Sequence, residues 1–146
     1  MSKKYKHYGN TCFIPALVRP IKNIPDYTKP HGGLWASPVD AEFGWKDWCK
    51  EEHFRECRED NSVCFTLAEN AKVAVSDSIV ALDGLPRQEC DIKMWTVLDF
   101  EKMVQMGYDA IEFVLSSDYR LYMALYGWDC DSILVMNPEV IREVTK

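Results

Sequence analysis

The apolar positions of this chain change period several times. Residues 5–19 read as a strand interrupted at Gly9-Asn10, followed by a turn-rich loop. Pro15, Pro20, Pro25 and Pro30 punctuate that loop, keep 20–33 out of helix and make it a surface connection. "GLWAS" at 33–37 predicts a short strand, ended by Pro38-Val39-Asp40, with Asp40 placed to cap a helix. Over 43–57, Trp45, Trp48, Cys49 and Phe54 fall near helical spacing, with Lys50, Glu51, Glu52 and Arg55 toward water. Residues 64–67 and 71–76 read as two strands around a hairpin-type turn at Glu69-Asn70.

The second half is as varied. Residues 77–92 fit no single period, and Leu82–Pro86 forces a turn. "TVLDFEKMVQMG" over 96–107 predicts a helix with Leu98, Met103 and Met106 on its apolar face and Gly107 as its stop. Residues 108–115 alternate like a strand, and 119–127 fit a short strand or a helical turn. "SILVMN" at 132–137 carries no charge and predicts a central strand, after which Pro138 opens a terminal helical turn. Strands and helices mix without βαβ alternation. The expectation is an α+β domain over residues 1–146, with a split mixed or antiparallel sheet and a few flanking helices.

Composition narrows the function classes. Apolar residues make up 47% and aromatics 12%, which excludes disorder for most of the length. Asp and Glu outnumber Lys and Arg 23 to 17, and the net charge of −6 argues against wrapping nucleic-acid phosphate. Lys3, Lys4 and Lys6 read as a solvated terminus. No apolar run reaches the roughly 18–20 residues that span a bilayer. No apolar segment of the signal-peptide kind follows the first lysines, so a cytoplasmic protein without membrane contact is expected. The six cysteines are then expected as reduced thiols. Cys49, His53 and Cys57 share a face if that segment is helical, yet no tight ligand pair accompanies them, and no metal is expected.

The common nucleotide-loop and hydrolase signatures are absent. What remains is an ordered set of pieces: His7-Tyr8-Gly9, then Gly33-Leu34-Trp35-Ala36-Ser37, then Gly107–Glu112, then Trp128-Asp129-Cys130-Asp131 before the last uncharged run. This order resembles the ADP-ribosyltransferase superfamily of diphtheria-toxin-like and poly-ADP-ribose polymerase enzymes. "HYG" and "GLWAS" look like its first two motifs, and "CDSILVMNPEVI" at 130–141 resembles its late acidic element.

The resemblance implies that the chain binds NAD and transfers ADP-ribose to a macromolecular acceptor, a protein, as a small phage or bacterial effector. His7 would hold the ribose and the Gly9 backbone the nicotinamide, with rings such as Tyr8 or Trp35 against it. Ser37 would support His7 or the acid. Breaking the nicotinamide–ribose bond develops oxocarbenium charge, which a nearby carboxylate stabilises. The family usually has Glu at that place. Here the position holds Asp131, one methylene shorter, and Glu112 is its rival. NAD hydrolysis without an acceptor would use the same residues. The competing class is a non-catalytic acidic module that occludes a basic partner protein. Gly32-Gly33 would let the backbone swing tightly into the strand that carries Trp35 and Ser37.

Overall fold

A computed structural model describes residues 3–145. Ten regular elements order along them as β1 (Tyr5–Tyr8), β2 (Leu34–Pro38), α1 (Trp45–Glu51), β3 (Ser62–Leu67), β4 (Val73–Ser76), α2 (Phe100–Gln105), β5 (Ala110–Phe113), α3 (Tyr119–Ala124), β6 (Ser132–Val135) and β7 (Ile141–Thr145). The fold is α+β. The strands line up as β4-β5-β6-β2-β1-β3-β7, parallel only between β4 and β5. No helix among the described residues is long and apolar enough to cross a membrane.

The weakest seam lies in the middle of that order. β1 and β2 pair only at Tyr5↔Pro38 and Lys6↔Ser37, whereas β1 pairs with β3 over four residues. Beyond Lys6 the two strands splay. The sheet curls about one face, where Tyr5 and Phe65 from one half meet Ala110, Ile133 and Val135 from the other. The opposite face carries Ile111, Phe113 and Leu134 and is covered by Phe100 and Met103 of α2 and Leu121 of α3.

Several expectations meet a different tertiary answer. β3 and β4 are not a hairpin: β3 lies between β1 and β7, and β4 runs parallel to β5 at the far edge. Local turn chemistry at Glu69-Asn70 cannot distinguish a hairpin from a chain that crosses to the other edge. Of the strand and the helical turn that 119–127 fit, the structure takes the helical one, α3 over 119–124, capped by the Asp118 carboxylate, which accepts from Arg120 N. Past Pro138 there is one 3-10 turn, and 141–145 then form edge strand β7 rather than a helical turn. The edge of β3 gives those residues ladder partners that sequence periodicity does not reveal. α2 begins at Phe100, later than the pattern suggested, because Asp99 caps it by accepting from Lys102 N.

Asp40 does not cap α1. The helix starts after Gly44, which brings no side-chain acceptor, and two other residues replace it. Asp47 accepts from Gly44 N at 2.9 Å, and Ser37 of β2 accepts from Trp45 N at 2.9 Å. First-turn donors need partners, and here one arrives from a neighbouring strand. α1 stops at Glu51, so Cys49 and Cys57 do not share a helical face.

The glycine pair does steer the chain into β2. Gly32 and Gly33 both have positive φ, +87° and +73°. A Cβ on Gly32 would collide with the Pro20 carbonyl, and one on Gly33 would lie 2.5 Å from Leu134 Cδ1. Gly32→Ala should therefore lower unfolding free energy by at least about 2 kcal/mol in urea titrations. Gly84→Ala, where an added Cβ meets nothing, should stay within about 1 kcal/mol of the parent.

Candidate functional site

Where β1 parts from β2 a side chain takes the place of the ladder, and a cleft opens beside it. The Trp35 carbonyl, facing β1, accepts from His7 Nδ1 at 2.6 Å. A carbonyl can only accept, so Nδ1 carries the proton, and Nε2 in turn accepts from Asn10 Nδ2 at 3.1 Å. Both ring nitrogens are thus engaged within the chain. Holding a ribose hydroxyl through Nε2 would first require the exposed Asn10 amide to let go.

Around this point lies a cavity of about 360 Å³. Tyr8, Tyr27, Trp35, Trp45 and Trp128 supply rings to its wall, and Lys6, His7, Lys29 and Arg55 supply basic side chains. Ser37 and Ser132 also line it. No carboxylate is among the lining residues. In a chain with more acids than bases this local charge is a product of folding.

Trp128 organises the wall. It is 1% exposed and sits 4.7 Å from the Trp35 ring and 4.3 Å, edge-on, from Phe113. Its indole N–H donates to the Thr28 carbonyl at 2.8 Å, while the Thr28 hydroxyl donates to the Tyr126 carbonyl at 2.7 Å. These bonds fix the loop that carries Tyr27 and Lys29. Tandem turn residues and prolines gave no sign of this pinning in the sequence, although Trp128 stood out as part of a singled-out piece. Tyr27 and Lys29 reach the cleft from the proline-rich loop, Arg55 from the irregular chain after α1 rather than facing only water, and Ser132 from the start of β6, and no local periodicity links these places.

The residues singled out earlier separate into three groups. His7, Tyr8, Trp35 and Ser37 line the cleft together. The Tyr8 hydroxyl bonds Glu59 at 3.2 Å, and burial, then that carboxylate, raises its pKa above the ordinary tyrosine range. Gly9 lies just outside, at φ +112°, and its N–H is committed to the Asn61 carbonyl at 2.8 Å. That donor is not free for a nicotinamide amide. The Ser37 hydroxyl donates to the Asp131 carbonyl at 2.8 Å while accepting from Trp45 N. It meets the main chain of Asp131, neither its carboxylate nor His7.

The two acids stand apart from the cleft. Paired residues in a sheet share a face. Glu112 pairs with Ile133, which pairs with Ala36, so Glu112 faces away from Trp35, Ser37 and Ser132. It is 1% exposed, and its carboxylate accepts from the Tyr5 hydroxyl and Lys3 Nζ, both at 2.6 Å. Asp131 is also buried, and its carboxylate accepts from Ser116 N at 2.9 Å and from the Ser116 hydroxyl at 2.7 Å. It borders a second hollow of about 260 Å³ beside Trp48, Tyr122 and Asp129. Its neighbour Ser132 is the β6 residue that enters the cleft.

The rim is tied by exposed ion pairs. Glu59 takes Lys46 at 2.7 Å and also pairs with Lys6, and these ammonium groups, Lys46 first, hold its carboxyl down to about 2. All six cysteines are free thiols. Burial pushes Cys130 up to about 11 and raises Cys49 as well.

Two outcomes follow from this geometry. Ser37→Ala strips a partner from both the Asp131 carbonyl and the first turn of α1, and should destabilise the fold by about 1–3 kcal/mol in urea unfolding. Thiol titration of the native protein near pH 8 should find exposed Cys12 reacting first, with Cys49 and Cys130 protected until denaturant is added. Equal rates for all six would contradict the buried, protonated state of those two.

In comparisons with known proteins, no family model, curated protein or solved structure matches this chain.

Proposed function

We propose that the protein binds NAD in the cleft beside β1 and β2, as an ADP-ribosyltransferase-like domain in which ligand binding is built in and the acid stands outside. The observation that carries this reading is the lining: five aromatic rings and four basic side chains around about 360 Å³, without a carboxylate. A dinucleotide offers flat rings and a diphosphate. Rings stack on rings, and cations take phosphate oxygens. The order of "HYG" and "GLWAS" along the chain supports NAD among nucleotides.

Tyr27 and Trp35 are the rings we assign to a nicotinamide or adenine face, and Lys29 and Arg55 are the cations toward phosphate. Tyr27 is 41% exposed, so it can adjust to a ligand without disturbing the core.

A second reading, ADP-ribosyl transfer to a protein acceptor, is favoured by one observation. Asp131 directly precedes the cleft residue Ser132 and is tied through its carbonyl to Ser37. In that reaction the C1′–nitrogen bond breaks, nicotinamide leaves with the bonding pair, and an acceptor nucleophile bonds C1′ and gives up its proton. Asp131 would have to exchange Ser116 for the ribose to stabilise the cationic transition state. Glu112 has no comparable path, since it projects from the opposite face of the sheet.

Calorimetry with NAD and an assay for released nicotinamide separate the readings. The expected result is binding that Tyr27→Ala weakens about five- to tenfold, in line with one lost stacking partner, and no nicotinamide release. Release that Asp131→Asn abolishes, with binding intact, would establish the transferase. No heat of binding at millimolar NAD would remove both readings and leave the acidic partner-binding module.

A further inference from the structure

Among the basic groups of the cleft, Lys29 stands out as partly buried over a ring without a contacting carboxylate. Lys6 is paired with Glu59. Arg55 lies at the surface with its guanidinium 4.9 Å from the Phe54 ring. Lys29 is partly buried, its Nζ lies 5.3 Å from the Trp35 ring centroid, and it forms no ion pair or side-chain hydrogen bond among the described residues. Burial pushes its ammonium below the ordinary lysine value, against the opposing field of Asp129. An ammonium partly withdrawn from water without a contacting counter-ion carries a desolvation cost that a more distant carboxylate offsets only in part.

Nor is its position an accident of a loose loop. Thr28, immediately before it, is wholly buried and bonded on both its hydroxyl and its carbonyl, and Pro30, immediately after it, is buried too. The backbone on either side of Lys29 is therefore fixed, and the side chain is directed over Trp35 into the cleft.

We propose that Lys29 is the anion anchor of this cleft, and that the cleft selects ligands joining a diphosphate to an aromatic ring over the corresponding uncharged nucleosides. Trp35 contributes twice. Its ring face attracts the ammonium and orients it, and its bulk excludes water from that side, so a phosphate oxygen meets a cation with few competing solvent contacts. The ring half of this selectivity rests on the nucleotide-binding reading above; the anion half does not. The competing explanation is that Lys29 only lays its aliphatic stem over Trp35 and sends its charge to water.

Lys29→Met keeps the stem and removes the charge, and Lys29→Arg keeps the charge. Calorimetry and tryptophan fluorescence on the full chain would use three probes, inorganic pyrophosphate, NAD and adenosine, with thermal unfolding as the check on folding. The expected result is at least tenfold weaker pyrophosphate and NAD binding in Lys29→Met, recovery to within about threefold in Lys29→Arg, and less than twofold change for adenosine. Unchanged pyrophosphate and NAD affinity in Lys29→Met would overturn the anchor and leave NAD binding standing. So would an equal loss for adenosine, which marks a shape effect. Pyrophosphate binding that depends on Lys29, with no binding of NAD, would keep the anchor and remove the NAD reading. A wild-type protein that binds none of the probes overturns both.

Discussion

Backbone hydrogen-bonding groups cannot be left unpaired in a protein interior, and the seam between β1 and β2 is where that constraint shapes this molecule. The strands pair for two residues and then separate. Two central strands that part in this way expose carbonyl and amide groups that the ladder would otherwise consume. At the seam His7 takes the Trp35 carbonyl, while beside it Gly9 continues toward β3 through Asn61 and the Ser37 hydroxyl ties β2 to the Asp131 carbonyl and the first turn of α1. A ring bridges the two strands there instead of a ladder bond, and the strands stand apart by its width. The gap is a fixed feature of the fold, and the cleft is what it encloses.

The same economy explains where the charge has gone. The protein is acidic overall, yet the carboxylates nearest the sheet centre are occupied as fasteners. Glu112 joins Tyr5 and Lys3 across the inner face, Asp131 secures the 3-10 turn at Leu115–Ser117 through Ser116, and Asp118 and Asp99 cap helices. Each accepts from at least two donors supplied within the chain. Of the basic groups in the cleft, Lys6 is paired with Glu59, while Lys29 and Arg55 form no ion pair among the described residues. An acidic chain thereby presents a basic cavity, and an anion entering it meets focused rather than average charge.

Aromatic packing connects the cleft to the core. Trp128 touches Trp35 and Phe113 and donates to Thr28, so one indole links β2, β5 and the proline-rich loop. Trp35 and Trp128 are therefore continuations of the core cluster into the cleft wall, whereas Tyr27 reaches the surface. Preformed rings lose little entropy when a flat ligand stacks on them.

The sequence determined the α+β class, the strands at 33–37 and 132–137, the glycine-driven entry into β2 and the central place of β6, because each depends on local conformation or on an uncharged run. It also marked His7, Tyr8, Trp35 and Ser37, which adjacent pairing strands do bring to one cleft. Tertiary structure alone decided the rest. The residues after Pro138 became strand because the β3 edge was open to them, and 119–124 became helix because Asp118 caps it while Leu121 finds the core. Sheet parity sent Glu112 to the far face, and Ser116 claimed the Asp131 carboxylate. Lys29 became a partly buried cation over Trp35 because Trp128 and Tyr126 hold Thr28 beside it. Those outcomes are set by which partner a group meets across the fold, and local sequence carries no record of that meeting.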